Sequence, residues 1–289
     1  MDIVNLKIKN LGIAEKFAQV GLLKEANLLR SCTTFVAYKN LADGNQVLHR
    51  SNFCKSKFCP ICNEIKKNKH KIYMKNILNG LDIENNDSYH LILTLKNCDI
   101  DNVKNTIDKF KSAWVKIVRT VEVKFKMITY IYYVHVEYNK ENSTYNIHMH
   151  VIVIYNDSTK DLFVDEEKGK WSKALKKAAK INYDPVVEMR KIADKKEIVK
   201  VAGYCAKGID VADVPIDELK QLTEQLDRVR LLQPAQKLNK LFNKQKENLR
   251  KRKYIQLTSY VSVKKWNNGK YQIDYEYDPE TYNRIKIVE

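Results

Sequence analysis

Thr144-Tyr145-Asn146-Ile147-His148-Met149-His150-Val151-Ile152-Val153-Ile154 is the stretch whose reading decides the fold. Neither Gly nor Pro interrupts it, and its second half is apolar and largely β-branched, so it reads as a β-strand. Alternate side chains of a strand share a face, about 7 Å apart along it. His148 and His150 therefore stand side by side, placed to hold one divalent cation. Two histidines on a half-buried strand by accident is the competing reading, so the rest of a site has to be found.

A second strand precedes it. Met127-Ile-Thr-Tyr-Ile-Tyr-Tyr-Val-His-Val-Glu137-Tyr138 has strand composition, and the polar connection Asn139-Lys-Glu-Asn-Ser143 joins the two as a hairpin. Glu137 lies near the turn in the first strand, and His148 just past it in the second. Pairing brings Glu137 toward the His pair as a third ligand. Two imidazoles and a carboxylate with open positions suit Mg²⁺ or Mn²⁺ acting as a Lewis acid. His135 shares the face of Glu137 and is the alternative ligand. Glu137 is set first because a hard cation prefers oxygen.

The chain has 289 residues, with 52 Lys plus Arg against 35 Asp plus Glu, a formal charge of +17. Such a balance points to nucleic acid or an anionic membrane. No apolar run is long enough to span a bilayer, and the opening ten residues are too polar for an export signal. Together with 17 Tyr, many beside Lys, the charge favours nucleic acid as the partner. No P-loop pattern occurs, so no NTPase site is expected.

Four of the six Cys are organised. Cys54-x4-Cys59-Pro60-x-Cys62 is compact, and Cys32 lies upstream. The segment between Cys32 and Cys54 reads as a hairpin turning at Asp43-Gly44, which returns Cys54 to Cys32. Four thiolates then converge as a structural Zn²⁺ site requires. Reduced core thiols are the bland alternative, and nothing indicates secretion and disulfides. Cys98 and Cys205 stand apart as ordinary core or edge thiols.

Elsewhere, apolar spacing predicts a helix over 11–30, a very basic helix over 64–81, a strand over 89–95 and a helix over 102–120. A Lys-rich helix over 168–180, a short strand over 185–189 and a helix over 194–207 follow. The order predicts an α+β fold, a central antiparallel sheet with helices on one face. Residues 215–253 are charged and helical, ending in a basic run from Lys244 to Lys253. A final hairpin turns at Asn268-Gly269. Composition shifts near residues 85 and 210.

A metal that polarises a phosphodiester needs an attacking group. The 194–207 helix offers Tyr204, with Glu197, Lys200 and Lys207 on its face and Val199, Ala202 and Ala206 on the opposite side. Two ammonium groups beside a tyrosine favour the phenolate and neutralise a phosphate. For an isolated Tyr-x-x-Lys, an interfacial tyrosine with solvated lysines is the simpler reading. The place of Tyr204 one segment after the His pair is what favours the nucleophile reading.

Strand Leu91-Ile-Leu-Thr94-Leu95, His148-Met149-His150 and Tyr204-x-x-Lys207, in that order, resemble the HUH endonucleases. The segment holding Cys32 and Asn52-Phe-Cys54-Lys-x-x-x-Cys59-Pro60-x-Cys62 looks like the N-terminal portion of rolling-circle replication initiators of plasmids from low-GC bacteria. The resemblance covers about residues 30–210 and, with the composition shifts near 85 and 210, implies three parts. These are an N-terminal zinc-binding and basic-helix module over 1–85, an HUH-like nickase domain over 86–210, and a C-terminal basic helical and β-hairpin extension over 211–289. It further implies a cytoplasmic bacterial enzyme that captures single-stranded or hairpin origin DNA and cuts it with Tyr204. A 5′-phosphotyrosyl bond stores the phosphodiester energy, and the freed 3′-OH primes a host polymerase, with a host helicase as further partner. Two positions depart from the family pattern. Asn146 stands where a further His is common, and Lys200 where a carboxylate is common, with Glu197 the possible substitute. A relaxase or tyrosine transposase with the same site, or a non-catalytic zinc-containing DNA-binding regulator, are the rival readings.

Overall fold

The computed structural model describes residues 2–41, 43–79, 86–125, 127–155, 164–236, 238–241, 243–244, 258–278 and 284–287. Its elements run α1 (Ile3–Gln19), α2 (Leu23–Ser31), β1 (Phe35–Leu41), β2 (Gln46–Ser51), α3 (Pro60–Asn79) and β3 (Ser88–Thr94). A 3-10 turn (Ile100–Asn102) leads into α4 (Val103–Phe125), then β4 (Met127–Asn139), β5 (Thr144–Tyr155), α5 (Val164–Ala179), β6 (Val186–Ile192) and α6 (Lys195–Cys205). Last come α7 (Ile216–Gln225), β7 (Leu232–Pro234), β8 (Thr258–Asn267), β9 (Lys270–Tyr277) and β10 (Arg284–Ile287). This is an α+β fold with two antiparallel sheets. Among the described residues, no helix is long and apolar enough to cross a membrane.

Two compact units divide the chain, residues 1–63 with 251–289, and residues 64–250. Boundaries near 85 and 210 follow composition, whereas these units follow strand pairing. In the first unit the sheet order is β10-β9-β8-β1-β2, so the late hairpin shares a sheet with the early one. Both turns form where the sequence places them, at Gly44 (φ 79°) and at Asn268-Gly269 (φ 45° and 83°). Two positive φ values in a two-residue loop match the right-handed twist of the flanking strands. The single helix expected over 11–30 is instead two, because Gly21 takes φ 75° after α1 and ends it.

The second unit holds the sheet β6-β3-β5-β4-β7, antiparallel throughout. Along β5, burial alternates up to His148 and is continuous from Met149 to Tyr155. Continuous burial requires cover on both faces. Helices therefore lie on both faces rather than the one expected. On one side Trp114 of α4 meets Tyr130 of β4 edge-on at 5.2 Å and stacks on Trp171 of α5 at 5.7 Å. On the other, Met74, Ile77 and Leu78 of α3 and Ile198, Val201 and Ala202 of α6 pack with Ile131, Tyr133, Ile152 and Ile154. The alternating half of β5 leaves Thr144, Asn146 and His148 only half-buried, which opens one end of this face. After α7 the expected helix gives way to β7, which pairs with β4. The basic run beyond Lys244 lies outside the described residues.

Candidate functional site: a histidine cluster under an exposed tyrosine

Strand register builds the cluster. Pairing of β4 with β5 sets His135 opposite His148, and Tyr133 opposite His150. Directly opposed residues share a face. His135, His148 and His150 consequently converge, each offering one ring nitrogen within 4.8 Å of the others. Glu137 pairs one step further out, opposite Asn146. Its carboxylate is bound by the ammonium of Lys207. Burial alone pushes the Glu137 carboxyl up, but the Lys207 hydrogen bond and charge outweigh it and leave it below the usual range.

Three ring nitrogens in this cluster are buried and without a hydrogen-bond partner: His135 Nδ1, His148 Nδ1 and His150 Nε2. Buried polar atoms are nearly always satisfied, so three such orphans in one place need an explanation. Burial also holds the rings neutral, with His150 down at about 2, His135 down at about 4 and His148 lowered as well. Neutral imidazoles are what a divalent cation binds, through a ring nitrogen that carries no proton. The residues fit such an ion. Asn146 Oδ1, on the same strand face, is a fourth buried acceptor without a partner.

Two of the remaining nitrogens are anchored. His135 Nε2 donates to the carbonyl of Cys205 at 2.8 Å, at the end of α6. His150 Nδ1 lies 3.0 Å from His90 Nε2, with the two rings stacked 5.2 Å apart. Arg190 Nε approaches His90 Nδ1 at 3.3 Å and also pairs with Glu197. Cys205 does not stand apart as expected. It is buried with its sulfur 3.8 Å from His90 Nε2, and burial pushes its thiol up to about 12.

Helix α6 carries the tyrosine. Asp194 caps it by accepting from Glu197 N at 2.7 Å, while Glu197 accepts from Ala193 N at 2.8 Å. Such reciprocal bonds satisfy donors that a helix start leaves free. Glu197 is thus placed at the helix start and on Arg190. The buried stripe is Ile198, Val201, Ala202 and Cys205, at i, i+3, i+4 and i+7 spacing. This turns Tyr204 outward, 57% exposed. Its ring stands 6.0 Å from that of His150 and 6.4 Å from that of His135. The helix ends at Cys205, so Lys207 lies just past it, with its ammonium 5.4 Å from the Tyr204 ring centre. Lys200 is exposed one turn earlier. The structure thus brings Tyr204, Lys207, His148, His150, His135 and Glu137 together.

His90 and Arg190 escaped the sequence reading. His90 lies in a strand that reads as apolar, and its only signal is that it breaks an otherwise hydrophobic run.

The cysteines form a separate cluster in the first unit. Sulfur–sulfur distances are 3.7 Å for Cys32–Cys62, 3.7 Å for Cys54–Cys62 and 3.6 Å for Cys32–Cys59. Four sulfurs about 2.3 Å from a tetrahedral ion lie about 3.8 Å apart, so the set fits such an ion. All four are free thiols. Backbone N–H groups point at the sulfurs, from Lys55 to Cys62 at 3.2 Å and from Cys62 to Cys59 at 3.4 Å. Lys55 reaches this pose with φ 62°.

Comparison with known proteins supplies the lineage. The model of the Rep_1 family, described as replication protein, matches residues 45–283. A "Protein rep" from Streptococcus pneumoniae serotype 2 (strain D39 / NCTC 7466) is 27% identical over 221 residues, 74% of this chain and 67% of that protein. A "Protein rep" from Lentilactobacillus hilgardii is 26% identical over 193 residues, 66% of this chain and 61% of that protein. One from Staphylococcus aureus is 26% identical over 195 residues, 64% of this chain and 83% of that protein. No solved structure gives a significant match. By the span of its match, the chain belongs to the Rep_1 family of replication proteins.

Proposed function

We propose that this chain initiates rolling-circle replication of a plasmid by nicking one strand at the origin, with Tyr204 as nucleophile. The observation that carries the reading is the exposed Tyr204 ring beside three buried imidazoles with unpartnered nitrogens. A divalent cation held by His135, His148 and His150, with Glu137 beside them, supplies Lewis acidity to a scissile phosphate.

The chain's own groups do the rest. The Tyr204 hydroxyl loses its proton to solvent, and its oxygen forms a bond to phosphorus. The bond from phosphorus to the 3′ oxygen breaks, and that oxygen takes up a proton as the 3′-OH primer. The downstream strand remains as a 5′-phosphotyrosyl ester, which keeps the phosphodiester energy for later strand transfer. Lys207, beside the ring, neutralises charge on the pentavalent transition state. Glu137 orients that ammonium through their ion pair. Glu197 serves here to cap α6 and hold Arg190, in addition to its candidacy as the carboxylate for termination. Zn²⁺ is the ion we assign to Cys32, Cys54, Cys59 and Cys62, as a structural centre.

The test uses a single-stranded oligonucleotide spanning the cognate origin, with Mn²⁺ or Mg²⁺. A covalent adduct should form, and mass spectrometry should place the phosphodeoxynucleotide on Tyr204. An adduct on another tyrosine overturns the assignment. No cleavage of the cognate origin under any divalent ion overturns the nickase reading.

A further inference from the structure

Helix α1 buries a stripe of Ile3, Lys7, Asn10, Ile13, Ala14 and Phe17. A lysine is out of place there. Lys7 is only 1% exposed, and an ammonium taken out of water is costly unless it is paired. Lys7 Nζ donates to the Arg30 carbonyl at 2.8 Å and to the Cys32 carbonyl, at the end of α2. Those are dipoles, not charges. Among the described residues no carboxylate pairs with it. The Cys32 carbonyl belongs to one of the four cysteines, so the buried ammonium lies beside that cluster.

Four protonated thiols carry no charge to compensate an ammonium. Four thiolates around Zn²⁺ make a doubly negative centre. The lysine and the cysteines therefore explain each other. Without the anion, the buried ammonium lacks a counter-charge. Without the ammonium, two negative charges sit beside the apolar core of α1 and α2.

We propose that Lys7 is the buried counter-cation of the four-cysteine centre and restrains the nucleophilicity of its sulfurs. The proposal rests on the reading of that centre as a zinc site. A competing role is plain: Lys7 caps the end of α2, alongside Asn10, whose amide donates to the Leu29 carbonyl at 2.6 Å. The two roles separate by charge. Glutamine keeps a donor for the carbonyls and removes the cation.

The full chain is purified with zinc, and its release is followed with a chromogenic chelator during reaction with iodoacetamide. In that reaction a sulfur lone pair forms the S–C bond, iodide leaves with its bonding pair, and the resulting thioether no longer binds zinc as a thiolate. Wild-type protein should carry one zinc that Cys59→Ser loses. Zinc content that ignores Cys59→Ser defeats the zinc reading itself, whatever Lys7 does. Given that zinc, Lys7→Gln should release it roughly tenfold faster, within the usual range for losing a supporting group. Lys7→Arg should stay near the wild-type rate. Release from Lys7→Gln at the wild-type rate overturns the proposal and leaves a helix cap. A second measurement needs no variant. With Co²⁺ in place of zinc, the Lys7 side-chain resonances of the unaltered chain should shift and broaden, and unaffected Lys7 resonances also overturn it.

Discussion

The ring of Tyr204 stands 6.0 Å from that of His150, edge to face, although the two residues, one on a helix and one on a strand, lie 54 positions apart in the chain. Burial of the opposite stripe of α6 fixes this placement, because Ile198, Val201, Ala202 and Cys205 leave Tyr204 no other direction. Removing only its oxygen tests what the placement is for. Tyr204→Phe keeps the ring and its packing, so origin DNA should bind with near wild-type affinity. Cleavage should fall by roughly a thousandfold or more, since the nucleophile is gone. Substantial covalent nicking by Tyr204→Phe would move the nucleophile elsewhere.

Glu137 and His135 have different neighbours, and metal binding should tell them apart. His135 Nδ1 is one of the three unpartnered nitrogens, whereas Glu137 is held by Lys207. His135→Ala should weaken Mn²⁺ binding far more than Glu137→Gln does. Glu137→Gln should instead lower the cleavage rate through a misplaced Lys207, by about tenfold. With a nitrogen-rich ligand set, Mn²⁺ should support cleavage better than Mg²⁺ at equal concentration. Titration calorimetry and single-turnover rates on both variants check this. Equal loss of Mn²⁺ affinity in the two would return Glu137 to the ligand set.

Acid should destabilise the metal-free protein through the same rings. Burial lowers His90 and His135 to about 4 and His150 to about 2 in the folded chain, against about 6.5 when unfolded. Between those values the unfolded chain holds protons that the folded chain does not. Stability is therefore complete above about pH 6.5 and declines as pH falls toward 4. The urea midpoint should drop between pH 7 and pH 5, and Mn²⁺ should enlarge the difference by binding only neutral rings. A midpoint independent of pH in that window contradicts the burial account.

Helix α3 exposes Lys66, Lys69 and Lys75, while Lys67 is paired with Glu64 at 3.1 Å. If the exposed three meet phosphates, replacing them with Gln should flatten the log–log salt dependence of single-stranded DNA binding. Each phosphate that is no longer neutralised should lower the slope by about 0.7. The nick position should not change. An unaltered slope would leave these lysines as a solvated helix face.

The His148–His150 pair was legible because strand periodicity is local, and so was the cysteine hairpin, whose turn residues announce themselves. Which of His135 and Glu137 comes nearer the pair was not. His135 and Glu137 share a face two residues apart, and only the register that sets His135 opposite His148 separates them. Sequence spacing puts Lys207 on the helix, yet its contact with Glu137 depends on the helix ending two residues earlier. The sheet joining β1 to β8 had no local signal, since its partners are more than two hundred residues apart. Strand β7 is three residues long and ends in Pro234, too short for any periodicity. Lys7 was hidden because periodicity counts a lysine as solvent-facing.

Gly203 supplies the most discriminating test of how finely the tyrosine helix is set. It is buried in α6 directly before Tyr204, and the side chain of Lys71 crosses it. A Cβ at this position would lie 2.2 Å from Lys71 Cε and 2.6 Å from its Cγ. Alanine in a helix is normally favoured over glycine by about 1 kcal/mol. Here that gain meets an overpacking cost of about 1–3 kcal/mol. Because Cγ as well as Cε is in the way, the whole Lys71 side chain must move or α6 must lift. Lifting α6 carries Tyr204 away from the histidines. Gly203→Ala should therefore cut cleavage by about ten- to a hundredfold, in keeping with a small misplacement of a reacting group. Adding Lys71→Ala removes the obstacle, so the double variant should recover most of the lost rate relative to Lys71→Ala alone. That recovery is the coupling a double-mutant cycle reads. A Gly203→Ala protein that cleaves at the wild-type rate, with no coupling to residue 71, would show that α6 tolerates the added methyl without moving Tyr204.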